Sequence, residues 1–150
     1  MDYLIARFVH ILLIAAWFGM TISGKQRAQW FARENLAKAA PPEIYLRKAS
    51  VAGSLIGLGV IASGFWLIHL LGGFDAVPWS ISLGFAASLA IVLIGALMIG
   101  RNWKKLATRR AAGAPQAELE AIAKQVGLWE RAVQLLWLVA LVSMVFRFEL

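Results

Sequence analysis

Four stretches of the chain, 3–23, 51–71, 79–100 and 128–146, run almost without charge. Each is close to the roughly 20 residues, about 30 Å of helix, that cross a hydrocarbon core. A soluble domain can bury one such segment. Four in a chain of 150 residues leave almost nothing to face water. Charged residues make up 15% of the chain, where a soluble domain carries about a quarter. The pattern predicts an all-α fold, a four-transmembrane-helix bundle of up-and-down connectivity, forming a single integral membrane domain over residues 1–150.

The charge that remains is segregated. Between spans one and two lie Lys25, Arg27, Arg33, Lys38, Arg47 and Lys48. Between spans three and four lie Arg101, Lys104, Lys105, Arg109, Arg110, Lys124 and Arg131. Thirteen of the fifteen basic residues therefore fall on one side. The positive-inside rule then predicts two cytoplasmic loops and places both termini on the extracytoplasmic side. Orientation also accounts for the net charge of +7, so no nucleic-acid partner is implied. The start "MDYLIAR" has an acid at position 2, and "TISGKQR" offers no A-x-A-like site, so span one is expected to persist rather than be cleaved as a signal peptide.

The connections refine the helices. Pro41 and Pro42 can open a helix at "PEIYLRKAS", so span two is expected to start well before residue 51. Gly72 and Gly73 end it, and a hairpin over 72–78 makes spans two and three antiparallel neighbours. Pro115 opens a further helical segment whose Leu119, Ile122, Ala123 and Val126 share one face. That segment either lies at the interface or extends span four. Trp30, Trp79, Trp103 and Trp129 fall near span boundaries, where tryptophan commonly anchors a helix, whereas Trp17 lies deep.

Small residues supply the packing signal. Helices in lipid associate through close backbone approach, which glycine, alanine and serine permit. Ala15, Gly19 and Ser23 recur along span one, Gly53 and Gly57 in span two, and Gly84 and Ser88 in span three. Such faces close a bundle, make room for a flat cofactor, or meet a second copy in a homodimer.

With no cysteine, the chain has neither a disulfide nor a thiolate metal site. The two histidines are the chemical candidates. His10 sits about 10 Å inside span one at 1.5 Å per residue, and His69 lies near the same side of the bilayer at the end of span two. Histidine pairs ligate haem iron, so His10 and His69 are cofactor-binding candidates, and His10 is also a metal-ligand candidate. An imidazole hydrogen-bonded to a neighbouring helix is the first explanation of His10, and a headgroup-facing ring that of His69. The spans carry no catalytic constellation, phosphate loop or nucleotide fingerprint.

"FVHILLIAAWFG", "YLRKASVAGSLIGLGVIASGFWLI" and "WERAVQLLWLVALVSMVF" resemble corresponding spans in a group of bacterial four-helix inner-membrane proteins. The group includes the four-span protoporphyrinogen oxidases, copper-resistance D-like domains and uncharacterised integral membrane proteins. The resemblance implies a multi-pass protein of the bacterial inner membrane. Its oxidase branch implies haem b at His10, followed by Trp17. That branch also carries a lysine near the start of span three and a proline in span two. "WSISLGFAASLAIVLIG" and "SVAGSLIGLGVIASG" contain neither.

Two functional readings stand at this point. One is an accessory or structural subunit of a membrane assembly, with the lipid bilayer and either a second copy or a larger complex as partners. The other is a haem-b redox protein with His10 as ligand.

Overall fold

The structure is a computed structural model that describes residues 1–33 and 42–146, with side chains of the third helix described from residue 51. Six helices follow one another: α1 (Asp2–Ile22), α2 (Gly24–Arg33), α3 (Pro42–Leu70), α4 (Trp79–Ile94), α5 (Gly100–Ala111) and α6 (Gln116–Phe146). Among the described residues, four helical segments are long and apolar enough to cross a membrane: Asp2–Arg33, Val51–Leu70, Trp79–Ala111 and Gln116–Phe146. Of the opening prolines, Pro42 begins α3 and Pro41 lies outside the described residues.

The helices run past the apolar stretches that marked them. Trp79–Ala111 has 33 residues, about 50 Å of helix, and α6 has 31, about 46 Å, against a hydrocarbon core of about 30 Å. The excess lies at one end, where the described basic residues of α2, α5 and the start of α6 gather. Residues 116–127 thus extend span four rather than lying flat.

Helix contacts set the arrangement. Along α3, β-carbons added at Gly53, Gly57, Gly59 and Gly64 would meet Met20, Trp17, Leu13 and His10 in turn, so α1 and α3 are antiparallel. Gly84 of α4 faces Ser143 and Met144 of α6. Helix α1 also touches α6 and α3 touches α4, which closes a four-membered ring of helices. At the hairpin, Gly72 and Gly73 have φ of +103° and +96°, and their N–H groups donate to the carbonyls of His69 and Ile68 at 3.1 and 2.9 Å. Only glycine enters that conformation without strain, which is why α3 stops there.

Two packed clusters lie one above the other. Within the apolar stretches, Trp17, Val60, Ile91, Val133 and Trp137 form one. Trp17 meets Trp137 edge to face at 5.1 Å, a geometry worth about 0.5–1.5 kcal/mol beyond the area it buries. Beyond them, α2, α5 and the start of α6 enclose Ala28, Phe31, Ala32, Leu106, Leu119, Ile122, Ala123 and Val126. This second cluster contains the apolar face expected from the spacing of residues 119–126.

A π-helical turn, Gly95–Ile99, joins α4 to α5. Its reason is register. From buried Ile91, fourteen residues of regular helix would bring Lys105 to the inward face. The extra residue of the π turn brings Leu106 there instead, fully buried, and leaves Lys105 exposed. The Asn102 side chain donates to the Met98 carbonyl at 2.9 Å, satisfying a group at the turn. We expect deletion of Ala96 to convert the turn to α-helix and keep the inward register, with a thermal midpoint close to that of the parent. Leu106→Ala should instead cost about 2–5 kcal/mol in a denaturant titration. Greater damage from the deletion than from Leu106→Ala would contradict this register.

Candidate functional site

The two histidines occupy different environments. His10 is buried in the α1–α3 contact, while His69 is exposed near the end of α3. His10 Nδ1 lies 2.8 Å from Ser63 Oγ. That hydroxyl also lies 2.7 Å from the Gly59 carbonyl and 3.1 Å from the Val60 carbonyl. A serine has a single proton: turned along its own helix, it leaves the oxygen to accept from an Nδ1–H of His10, and turned toward the ring, it leaves the ring proton on Nε2. Gly64 makes room for the ring, since a β-carbon there would lie 3.2 Å from His10 Cε1.

His10 and His69 are not brought together. His69 stands five residues beyond Gly64, about 8 Å further along the helix axis. Among the described residues, no group of three or more His, Cys, Asp or Glu side chains is placed to hold a metal ion.

Other buried polar groups lie at the level of His10. The Trp17–Trp137 contact fixes the register of α1 on α6. Seven residues outward from each lie His10 and Met144, next to Ser143. Ser143 Oγ donates to the Ala140 carbonyl at 3.0 Å, and Ser88 Oγ to the Gly84 carbonyl at 3.0 Å. These serines pair within their own helices, the self-satisfaction expected of hydroxyls in an apolar setting. Ser80 is fully buried, and its hydroxyl has no hydrogen-bond partner among the described residues.

A second polar site departs from the sequence reading. Glu130 of α6, which reads from sequence as one of the charges of the second loop, is 5% exposed. It faces the break between α1 and α2. Gly24 opens α2, and a β-carbon there would collide with the Glu130 carboxylate. One turn on, Arg27 supplies the opposite charge, and its Nη2 donates to the Met20 carbonyl at the end of α1. Glu130 Oε2 and Arg27 Nε both lack a hydrogen-bond partner among the described residues. The signal was in the spacing. Ala123, Val126, Glu130, Val133 and Trp137 lie on one helical face, and four of these five are apolar.

Gly24 and Glu130 should therefore behave as a coupled pair. We expect Gly24→Ala to destabilise the protein, and Glu130→Ala to remove most of that additional cost. A double-mutant cycle should give a coupling of about 1–3 kcal/mol. Simple additivity would mean that the two do not share this space.

No protein-family model matches the chain, and neither a curated protein nor a solved structure matches it.

Proposed function

We propose that this four-helix membrane protein is an accessory or structural subunit of a membrane assembly. The observation that supports this reading is the use made of His10. Its Nδ1 is hydrogen-bonded to Ser63 and its ring fills the space over Gly64, so the deepest ionisable side chain of α1 serves helix packing. The other glycines of the α1–α3 contact are similarly engaged by Leu13, Trp17 and Met20. On the outer side of α1, Ala15 and Gly19 are exposed, and a β-carbon on Gly19 would meet nothing within 4 Å. This small-residue face is the surface on which a partner helix would be sought.

A second reading, a haem-b redox protein, draws support from the hydrogen bond between His10 and Ser63. A ligating histidine typically donates through its other ring nitrogen to a fixed acceptor, and Ser63 would be that acceptor if Nδ1 of His10 carries the proton. Haem b bound there would supply one-electron chemistry. His69 is exposed and displaced along α3, so His10 is the residue that would hold the group.

One preparation separates the two. Protein purified gently from cells supplied with haem would be examined oxidised and reduced, beside His10→Ala, and cross-linked in its native membrane beside Gly19→Leu. The subunit reading expects a higher-mass species that Gly19→Leu weakens, with no Soret band. A Soret and α band abolished by His10→Ala would replace it with the haem reading. An uncoloured protein that stays monomeric in the membrane would overturn both.

A further inference from the structure

We propose that the outward face of α5 binds the headgroups of anionic phospholipids in the leaflet at the basic end of the bundle. Arg101, Lys104, Lys105 and Thr108 are all exposed. At 100° per residue they fall within an arc of about 100° on the side of α5 opposite Leu106. The stripe begins where the apolar part of Trp79–Ala111 ends, the level at which lipid headgroups would stand beside a hydrocarbon core of about 30 Å. The one-residue shift of the π turn places it there, because it turns Leu106 inward and Lys105 outward together.

The pairing of charges favours the same surface. Arg109 donates to Glu118 at 2.6 Å, and Arg33 lies 3.7 Å from Glu120. Arg110 stacks over the Phe31 ring at 4.8 Å. Those cations hold the helical layer together. Arg101, Lys104 and Lys105 have no carboxylate partner among the described residues, although Glu118 and Glu120 lie on the adjoining helix. Orientation in the membrane requires only a count of positive charges on one side. It does not require them to share the lipid-facing side of one helix, unpaired. A phosphodiester headgroup meets that arrangement, offering anionic oxygens to guanidinium and ammonium donors at the depth where they stand.

The test uses the full chain reconstituted in phosphatidylcholine bilayers with trace spin-labelled phosphatidylglycerol or phosphatidylcholine. Electron spin resonance gives the relative association of each label with the protein. At low salt we expect phosphatidylglycerol to be preferred by about fivefold or more, with the preference falling as salt rises. The R101Q/K104Q/K105Q variant should lose most of it. A control of equal charge change, R33Q/R109Q/K124Q, should keep it. Thermal unfolding of each variant confirms that the compared proteins are folded. Absence of preference in the parent protein overturns the proposal. So does an equal loss in both triple variants, which would mark a bulk charge effect rather than a surface on α5.

Discussion

The close approach of α1 to α3 governs the rest of this bundle. Inside a bilayer the lipid is as apolar as the side chains, so helices gain little from hiding hydrophobic surface and much from fitting closely. Glycines of α3 create that fit. Trp17 lies over Gly57, where a β-carbon would come within 3.0 Å of the indole. Once the tryptophan is seated, its edge reaches Trp137 and sets α6 against α1. The same register carries His10 to Ser63. A bulkier residue at position 57 would disturb the interhelical aromatic contact and the only hydrogen-bonded imidazole pair among the described residues.

Beyond the apolar stretches the driving force changes. The layer formed by α2, α5 and the start of α6 extends beyond the length of helix that a hydrocarbon core covers, toward headgroups and water. There, burial of Phe31, Leu106, Ile122 and Val126 is favourable in the ordinary hydrophobic sense. Trp103 meets Phe31 at 5.9 Å, and Arg110 covers the other part of that ring environment. The chain thus joins two kinds of core along the same helices. The π turn at Gly95–Ile99 lies at the change between them and corrects the phase of one against the other.

This division also explains which features were legible in the sequence. Spans were readable because hydropathy responds directly to the membrane, and the hairpin was readable because Gly72 and Gly73 have no alternative reading beside an apolar helix. Helix ends were less so. Ser23–Gly24 looked like the exit into a loop, yet α2 continues after a single break, since Ala28, Phe31 and Ala32 find an apolar face on α6. That partner face is distant in sequence, so local pattern could not reveal it. His10 was visible as an intramembrane polar residue, but its partner was one serine among several. Choosing Ser63 required the helix register. The sidedness of the bundle relative to the cell rests on charge count alone, as do the expected positions of both termini.

Glu130 presents the opposite case, a residue whose apparent role was set by its neighbours in sequence rather than in space. Flanked by Trp129 and Arg131 at the start of an apolar stretch, it resembles a boundary charge. Helical periodicity turns it inward while turning Arg131 out. A buried carboxylate with an unbonded oxygen costs stability unless something offsets it. Arg27 offsets part of that cost through its charge, while also donating to the Met20 carbonyl at the point where α1 breaks. The arrangement therefore joins three features that would each be unfavourable alone: a helix break, a half-buried cation and a buried anion. Gly24 makes the combination sterically accessible, because any side chain there would occupy the place of the carboxylate. The break between α1 and α2 is thus bound to α6 by electrostatics and by the absence of one β-carbon. A hydrophobic replacement of the pair would have to fill that space while leaving the Met20 carbonyl another donor.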